Sequence, residues 1–369
     1  MSLADRPRVG VIGAGWGAKL HLEGFKRTGR VDLVALTSRT RGTAEKLATE
    51  YGVDSVVDTL DELIDAVDVV SVATPPQAHE EAVLRAAAAG RHVLCDKPMA
   101  LDSEASEAML RAVREHRVHH ATGFIWRLDP AFTHMRRLLA EGVVGRPLHV
   151  STTCTMGVPV LPFTWMYEER HGGGALMQHG THVLDRVRYL LGEEFSRLMG
   201  RLHRDVTVAE RGPRFHNVLD AFAYAGDSGG RRVEEGVPVT VDTGYEILGE
   251  TGSGTRLSFL ESWHSAGGRS DHVEIHGEEA TLEWAGGVVR LLGAGREPED
   301  ITVEGSSTSG ANTPREHGLR MWHRLADLFL DDIQGGADGA LPTLDDGHQV
   351  MRVVDAVRRS DKSEHWESV

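Results

Sequence analysis

A glycine-rich turn near the start of the chain is the feature that most constrains its fold. An apolar run at residues 9–12 stops at Gly13, and a segment with helix-like spacing of apolar residues follows. In a strand-to-helix turn of this kind, one glycine permits the tight turn, the next lets the backbone approach a pyrophosphate, and a small third residue lets helix and strand pack. A simple tight turn is the alternative, but the buried strand before it favours a dinucleotide site. The predicted cofactor-binding residues here are Gly13, Gly15, Trp16, Gly17 and Ala18.

Composition excludes several classes of partner. The chain has 369 residues, of which 40% are hydrophobic, so it is long enough for two domains. Its formal net charge of −15 argues against nucleic acid or an anionic membrane as a partner, since such binding rests on cationic patches. No apolar stretch has the length of a membrane span, and no signal-peptide pattern is present, so a cytoplasmic location is expected. Two cysteines, Cys95 and Cys154, fit a reducing compartment and are expected to fill the core.

The hydrophobic pattern predicts an α/β chain of two domains. Strand-like runs at 9–12, 31–36, 67–73 and 92–95 alternate with helix-like segments, which predicts a Rossmann-type, doubly wound parallel sheet over residues 1–125. The hydrophobic pattern of residues 126–369 predicts an α+β domain with a largely antiparallel open sheet. Its expected strands and helices are as follows: strands at 219–224, 245–248, 256–263 and 272–276, and helices at 131–141, 174–191, 321–333 and 347–359. Because one face of such a sheet can be apolar and open, a homodimer or homotetramer is predicted.

The end of the second strand indicates which dinucleotide is bound. A ribose with free hydroxyls is usually held by an acidic side chain about 20 residues beyond the glycine turn, whereas a 2′-phosphate prefers hydroxyls and an arginine. Here the strand runs into Ser38, Arg39 and Thr40, and no Asp or Glu stands there. We therefore predict NADP as the cofactor, with NAD possible, and these three residues as part of its site. A merely solvated turn at Arg39 and Arg41 is the alternative.

Several motifs in a fixed order resemble those of one protein family. They are the glycine turn followed by His21, the segment 73–79, Asp96-Lys97-Pro98, the glycine-rich segment 172–176 with His182 and Asp185, and Pro342-Thr343 with Asp346-Gly347. In this series the chain resembles the Gfo/Idh/MocA oxidoreductases, the relatives of glucose-fructose oxidoreductase and inositol dehydrogenase. The resemblance covers most of the chain. It implies hydride transfer between a nicotinamide and a sugar, cyclic polyol or related small hydroxy or carbonyl compound, with residues 126–369 binding the substrate.

Lys97 is the predicted catalytic residue of the first domain. It follows a strand at the carboxyl edge of the expected sheet, where such sheets place their ligands. Unlike arginine, an ammonium can be tuned to give up its proton. The resemblance implies that Lys97 positions the substrate oxygen and that Asp96, in place of the more usual glutamate, orients it. It also implies that the cofactor contacts Thr74, Pro75, His79, Asp96 and Lys97.

The second domain departs from the family pattern at one position. The resemblance places an aspartate four residues before the histidine, and here that aspartate is Gln178, which cannot relay a proton. His182 remains the predicted general acid or base, because its unperturbed pKa lies near neutrality. Gln178 is then expected to bind substrate by hydrogen bonds, with Arg127 and Trp165 as further substrate contacts. Trp126 and Tyr167 are candidate pocket walls, although ordinary packing is the simpler expectation for each aromatic residue.

Two other functional classes and a metal site are alternatives to this prediction. A sensor that binds nucleotide without turnover is one alternative, because the relay aspartate is replaced. An enzyme that oxidises its substrate only transiently with bound cofactor, as in NAD-dependent glycosidases, is the other. His171, His179 and His182 are potential ligands of a transition metal, but no cluster of cysteines or carboxylates with metal-site spacing accompanies them. No metal is therefore predicted.

Overall fold

The computed structural model describes residues 6–157, 160–213, 215, 220–221, 223–225, 233–265, 270–306, 314–336 and 339–369, with 314–315 described by backbone alone. Within these residues, no helix combines the length and apolar character needed to cross a bilayer. The chain divides into two compact units, one of residues 1–125 and 315–351 and the other of 126–314 and 352–369.

The first unit is built on a six-stranded parallel sheet. Its strands are β1 (Arg8–Ile12), β2 (Asp32–Thr37), β3 (Ser55–Val56), β4 (Val69–Val72), β5 (His92–Cys95) and β6 (His120–Thr122). Its first helices are α1 (Trp16–Thr28), α2 (Arg41–Tyr51), α3 (Leu60–Ala66), α4 (His79–Ala88) and α5 (Ser103–Glu115). The strand order β3-β2-β1-β4-β5-β6 is that of a dinucleotide-binding sheet, whose ligands lie beyond the carboxyl ends of the strands. This confirms the predicted parallel Rossmann sheet.

Residues 315–351 return to the first unit, which corrects the predicted division of the chain. Helix α8 (Pro314–Ile333) packs on α1, and a Cβ on Gly24 would lie 3.0 Å from the carbonyl oxygen of Trp322. The Trp322 ring also contacts His21, with ring centroids 4.0 Å apart. After α8, the Pro342 carbonyl accepts a hydrogen bond of 2.9 Å from the N–H of Thr122 in β6. The apolar face of α8 is thus buried against a unit whose first part ends at residue 125, far before α8 begins, and helical periodicity alone does not indicate this placement.

The second unit is built on a nine-stranded mixed sheet. Its strands are β7 (Pro147–Thr155), β8 (Phe195–His203), β11 (Gly244–Thr251), β12 (Arg256–Ser262), β13 (Ser270–Gly277), β14 (Ala280–Ala285), β15 (Val288–Gly293), β16 (Glu299–Asp300) and β17 (Glu367–Ser368), while β9 (Val208–Ala209) and β10 (Val237–Pro238) form a separate pair. The order is β16-β15-β14-β13-β7-β12-β11-β8-β17, and only β7 and β12 pair in parallel. The predicted, largely antiparallel sheet is confirmed. Helices α6 (Pro130–Ala140), α7 (Thr181–Leu191) and α9 (Leu344–Ser363) complete the fold.

Two local predictions in the second unit need correction. The expected strand at 219–224 is wrong, because the described residues 220–221 and 223–225 are helical. Ala221 and Ala225 are buried four residues apart, a helical spacing, and alanine favours helix over strand. The expected helix over 174–191 begins with a π-helical segment, Leu176–Gly180, before α7 starts at Thr181.

Candidate active site

The glycine turn lies between β1 and α1 and fits a bound pyrophosphate. Gly13 has φ +120°, and a Cβ there would lie 2.6 Å from the carbonyl oxygen of Ala73, so only glycine fits. A Cβ built on Gly15 meets no atom within 4 Å, so open space lies above the turn. Gly15 is the N-cap of α1 and forms no side-chain cap, and the first turn holds no acidic residue. The N–H groups of this helix end can therefore receive an anion.

The loops that follow β4 and β2 offer further groups to a dinucleotide. The hydroxyl oxygen of Thr74 is buried and has no hydrogen-bond partner among the described residues, as expected of a group that a ligand satisfies. After β2, the Ser38 hydroxyl accepts a 3.3 Å hydrogen bond from the N–H of Thr40. Arg39 is exposed and forms no ion pair with any described residue, whereas Arg41 binds Asp58 and Glu45. Arg39 is thus the available cation of this loop.

Asp96 and Lys97 lie beyond β5, at the same sheet edge as the glycine turn. Oδ1 of Asp96 accepts a 2.7 Å hydrogen bond from the backbone N–H of Lys97. Burial lowers the pKa of the Lys97 ammonium below its usual value, and the Asp96 carboxylate partly opposes this shift. A lysine with a lowered pKa can exchange a proton nearer neutral pH than an exposed lysine can, which is what acid–base catalysis requires.

The Asp96 carboxylate is enclosed by contacts that fix its orientation. Its Oδ2 lies 3.7 Å from Nε2 of His21. A Cβ on Gly17 would lie 3.0 Å from Oδ2, and one on Gly123 would lie 2.6 Å from Oδ1, so a side chain at either position would crowd the carboxylate. Burial alone would raise the pKa of Asp96, but the neighbouring His21 imidazole and the charge of Lys97 hold it below its usual value.

In the second unit, two imidazoles contact the indole of Trp126. His182 stacks on it with ring centroids 4.3 Å apart and planes 10° from parallel, and His179 meets it edge-on at 4.6 Å. His182 is only 6% exposed. Gln178 is half-buried, and its Nε2 donates a 2.6 Å hydrogen bond to the carbonyl of Gly172. Trp126 therefore fixes the ring plane of the predicted acid or base, a contact that the sequence did not reveal.

Two family models and several named relatives match this chain. A model described as an oxidoreductase family with a NAD-binding Rossmann fold matches residues 7–124, and the GFO/IDH/MocA C-terminal domain matches residues 132–283. The chain belongs to the Gfo/Idh/MocA oxidoreductase family. Levoglucosan dehydrogenase of Pseudarthrobacter phenanthrenivorans is 28% identical over 88% of this chain and 86% of its own length. Inositol 2-dehydrogenase of Rhizobium meliloti is 25% identical, covering 96% of each chain.

Two solved structures share the fold over nearly the whole chain. A levoglucosan dehydrogenase in complex with NADH and L-sorbose superposes with a TM-score of 0.82 at 24% identity, covering 98% of both chains. An oxidoreductase domain protein from Kribbella flavida gives a TM-score of 0.84 at 25% identity, covering 99% of this chain and 100% of its own. Both units of the present chain thus share the fold of these two proteins.

Three residues considered for a ligand site are held by contacts within the scaffold, and for Tyr167 this agrees with the simpler expectation of ordinary packing. His79 is fully buried: Nε2 lies 2.7 Å from the Thr74 carbonyl, and Nδ1 lies 3.1 Å from that of Pro98. It thereby joins the two loops that carry Thr74 and Lys97, and burial lowers the pKa of its imidazole. Tyr167, a candidate pocket wall, is only 1% exposed and lies in a core cluster that includes Leu161.

Arg127 is the third of these residues. It is 3% exposed, and its Nε donates a 2.9 Å hydrogen bond to Oδ2 of Asp185, while Nη2 contacts Oδ1. Its guanidinium also lies over the Tyr189 ring, 5.0 Å from the centroid. A buried ion pair of this kind fixes Arg127 to α7, because removing either partner would leave an uncompensated buried charge.

The histidine set considered for a metal does not assemble. Among the described residues, the groups whose ligand atoms lie together are Cys154 with His179 and Asp271, and His272 with Glu274 and Glu283. Neither includes His171 or His182. Sequence spacing missed the first group because its members come from two strands and the π-helical segment, and only the sheet register brings them together.

Proposed function

We propose that the chain is a dehydrogenase or reductase that prefers NADP(H) and acts on a CH–OH group or the matching carbonyl of a sugar, cyclic polyol or similar compound. The observation that carries this proposal is the lysine of lowered pKa, Lys97, placed beside Asp96 at the sheet edge that also holds the glycine turn. The names of the relatives, levoglucosan dehydrogenase and inositol 2-dehydrogenase, support the substrate class.

Lys97 and His182 are the proposed catalytic residues. The nicotinamide, when bound, accepts or supplies hydride at its C4 atom. Lys97 polarises the substrate oxygen by donating a hydrogen bond to it and takes up or returns its proton as the C–O bond order changes. His182 is the second acid or base, and Trp126 holds its ring plane. Gln178 and Trp165 are the proposed substrate contacts, and Arg127 is not among them because Asp185 holds its guanidinium.

The residues present fit a dinucleotide with an adenosine 2′-phosphate. Gly13, Gly15 and the first turn of α1, including Trp16, Gly17 and Ala18, form the proposed phosphate cradle. The proposed 2′-phosphate site comprises Ser38, Arg39 and Thr40, because a guanidinium and hydroxyls suit that group and no carboxylate stands at the end of β2. Thr74 and Pro75 are further proposed cofactor contacts, since the buried Thr74 hydroxyl is unsatisfied by any described residue.

A second copy of this chain is the proposed partner of the open sheet face. Leu248 in β11 pairs directly with Met199 in β8, and these side chains are 56% and 39% exposed. Leu260 in the adjacent β12 is 39% exposed. Large apolar side chains on one face of three neighbouring strands are typical of a buried sheet face, so a homodimer or homotetramer is proposed. Cys95 and Cys154 are buried and form no disulfide, which fits a reducing compartment, and a cytoplasmic location stays a prediction.

The proposal is tested by a substrate panel with both cofactors. Purified protein is mixed with inositols, anhydrosugars and aldoses, with NADP⁺ or NAD⁺, and the absorbance of reduced nicotinamide is followed over many turnovers. We expect stoichiometric accumulation of NADPH with at least one cyclic polyol or sugar. Cofactor that binds without any absorbance change would favour the sensor alternative. Substrate cleavage without net NADPH would favour transient oxidation by bound cofactor.

A further inference from the structure

A second cluster of reactive side chains lies in the second unit, on the buried face of the nine-stranded sheet. Cys154 in β7 pairs across the sheet with Asp271 in β13 and with Glu261 in β12. The three residues therefore form one row across three adjacent strands. His179, from the π-helical segment, lies over this row, and π-helical turns are frequent at functional sites.

The contacts of His179 determine which of its nitrogens is available. Nδ1 lies 2.8 Å from Oε2 of Glu261, and Oε1 of the same carboxyl accepts a 2.8 Å hydrogen bond from the indole N–H of Trp263. An indole N–H can only donate, so Glu261 acts as an acceptor, and its second oxygen suits a proton on Nδ1. The lone pair of the neutral imidazole then lies on Nε2, which is 3.9 Å from Sγ of Cys154.

This arrangement matches the donor set of a thiophilic divalent metal. A carboxylate that holds the outer nitrogen of a histidine, leaving the inner nitrogen for the ion, is the usual support of a metal-ligating imidazole. Bonds of about 2.3 Å to sulfur and about 2.0 Å to nitrogen place the two atoms roughly 3.5 Å apart in a tetrahedral site. The ligand atoms of Cys154, His179 and Asp271 all lie within 4.8 Å of one another. Only small shifts would bring them to coordination distance.

The local charges also suit a divalent ion. A Cys154 thiolate and the Asp271 carboxylate together carry two negative charges, which balance the ion. Arg186 already binds Asp271, with Nη2 3.1 Å from Oδ1, and its charge is offset by that of Glu261. A carboxylate can bridge a guanidinium and a metal because each of its oxygens offers two lone pairs. Cys154 is 3% exposed, so an ion there is shielded from solvent.

We infer that Cys154, His179 and Asp271 form a binding site for Zn²⁺ or a similar thiophilic divalent ion, with Glu261 as a positioning residue. Binding releases the thiol proton to solvent as the metal–sulfur bond forms, so affinity rises with pH. This inference goes beyond the proposed oxidoreductase function and does not depend on it. It also revises the expectation from sequence that the chain has no metal site and that Cys154 only fills the core.

The site is tested by cobalt spectroscopy on the full-length protein. Chelator-treated, reduced protein is titrated with Co²⁺. We expect tetrahedral visible bands and a near-ultraviolet thiolate-to-cobalt charge-transfer band at one equivalent per chain, both abolished by Zn²⁺. Cys154→Ser removes the charge-transfer band, whereas Cys95→Ser, at the other buried cysteine, retains it. A weak octahedral spectrum, or a charge-transfer band that survives Cys154→Ser, would overturn the inference.

Two further measurements separate a ligand role from a structural one. Glu261→Gln keeps the side-chain shape and is expected to weaken Zn²⁺ affinity about 10- to 100-fold. Glu246→Gln, at an exposed glutamate on the adjacent strand β11, should leave it unchanged. Zn²⁺ should also raise the melting temperature of the chelator-treated wild-type protein, because an ion that binds only the folded state stabilises it. An unchanged melting temperature at saturating Zn²⁺, or equal effects of the two substitutions, would contradict the site.

Discussion

Oδ2 of Asp96 lies 3.7 Å from Nε2 of His21, whose Nδ1 lies 2.7 Å from the hydroxyl oxygen of Ser71. This chain of contacts links β4, α1 and the loop after β5, and it ends at the residue that precedes Lys97. The side chain of Asp96, which is shorter than that of the more usual glutamate, thus keeps a defined position beside the proposed catalytic ammonium of Lys97. The electrostatics of Lys97 are therefore set within the nucleotide-binding unit itself.

Asp96→Asn should lower the apparent pKa of Lys97 further. The Asp96 carboxylate raises that pKa against the effect of burial, so removing its charge leaves desolvation less opposed. The limb of the pH profile of kcat/KM that reports Lys97 is expected to move to lower pH. Asp54→Asn, at an exposed position, is the control and should leave the limb in place. A limb that stays fixed or moves to higher pH in Asp96→Asn would show that Asp96 does not act on Lys97 in this way.

Arg39→Ala should weaken NADP use selectively. A hydrogen bond to a charged group contributes roughly 1.5–3 kcal/mol, which corresponds to about a 10- to 100-fold rise in KM for NADP. The KM for NAD should change little, because NAD lacks the 2′-phosphate. Arg41→Ala is the matched control, since that guanidinium is held by Asp58 and Glu45. Equal changes for both cofactors in Arg39→Ala would remove the basis for an NADP preference.

Asp242→Asn should change how stability depends on pH. Burial raises the pKa of Asp242 from 3.8 to about 6, while its Oδ2 accepts a hydrogen bond from the Leu176 N–H. Because the pKa of Asp242 is higher in the folded than in the unfolded protein, the folded state is favoured when this carboxyl is protonated. This stabilising contribution is present below pH 4 and is lost as pH rises through 6. This loss amounts to roughly 3 kcal/mol at most.

The asparagine variant escapes that loss, so its stability relative to wild type should increase between pH 4.5 and 8. Urea denaturation at several pH values measures the difference. Asp205→Asn, at an exposed aspartate, is the control. A difference that is independent of pH would mean that Asp242 does not titrate in this range.

Leu248→Arg should dissociate the proposed oligomer. The substitution places a charge at the centre of the apolar patch formed with Met199 and Leu260, where burial against a second copy would be costly. Light scattering at micromolar concentration should show a larger species for wild type and a monomer for the variant. Thr49→Arg on the exposed side of α2 serves as control. A monomeric wild-type protein would refute the predicted self-association.

The sequence predicted the parts of the fold that depend on local patterns. The glycine turn, the alternation of strands and helices and the missing acid after β2 are all visible in neighbouring residues. The return of residues 315–351 to the first unit is not, because an amphipathic helix shows that it is buried but not against what. The segment 219–224 was misassigned because alternating apolar residues outweighed its alanines.

The site was less predictable than the fold, because local patterns do not show which side chains and carbonyls a residue contacts. His79 belongs to a motif expected at the cofactor and Arg127 was an expected substrate contact, yet the carbonyl of Pro98 and the carboxylate of Asp185, which hold them, lie 19 and 58 residues away in the sequence. Likewise, the spacing of His179 and His182 suggests two ligands on one helix face. The π-helical segment instead places His179 against Glu261 and Cys154.

The most direct test of the central claim is turnover by Lys97→Met, measured with the substrate identified in the panel. Loss of the ammonium should lower kcat about 10²- to 10⁴-fold, as expected for loss of a general acid or base, while NADPH affinity stays within about twofold of wild type. Lys46→Met, at an exposed lysine on α2, should retain full activity. Turnover by Lys97→Met equal to that of Lys46→Met would contradict the assignment of Lys97 and, with it, the proposed mechanism.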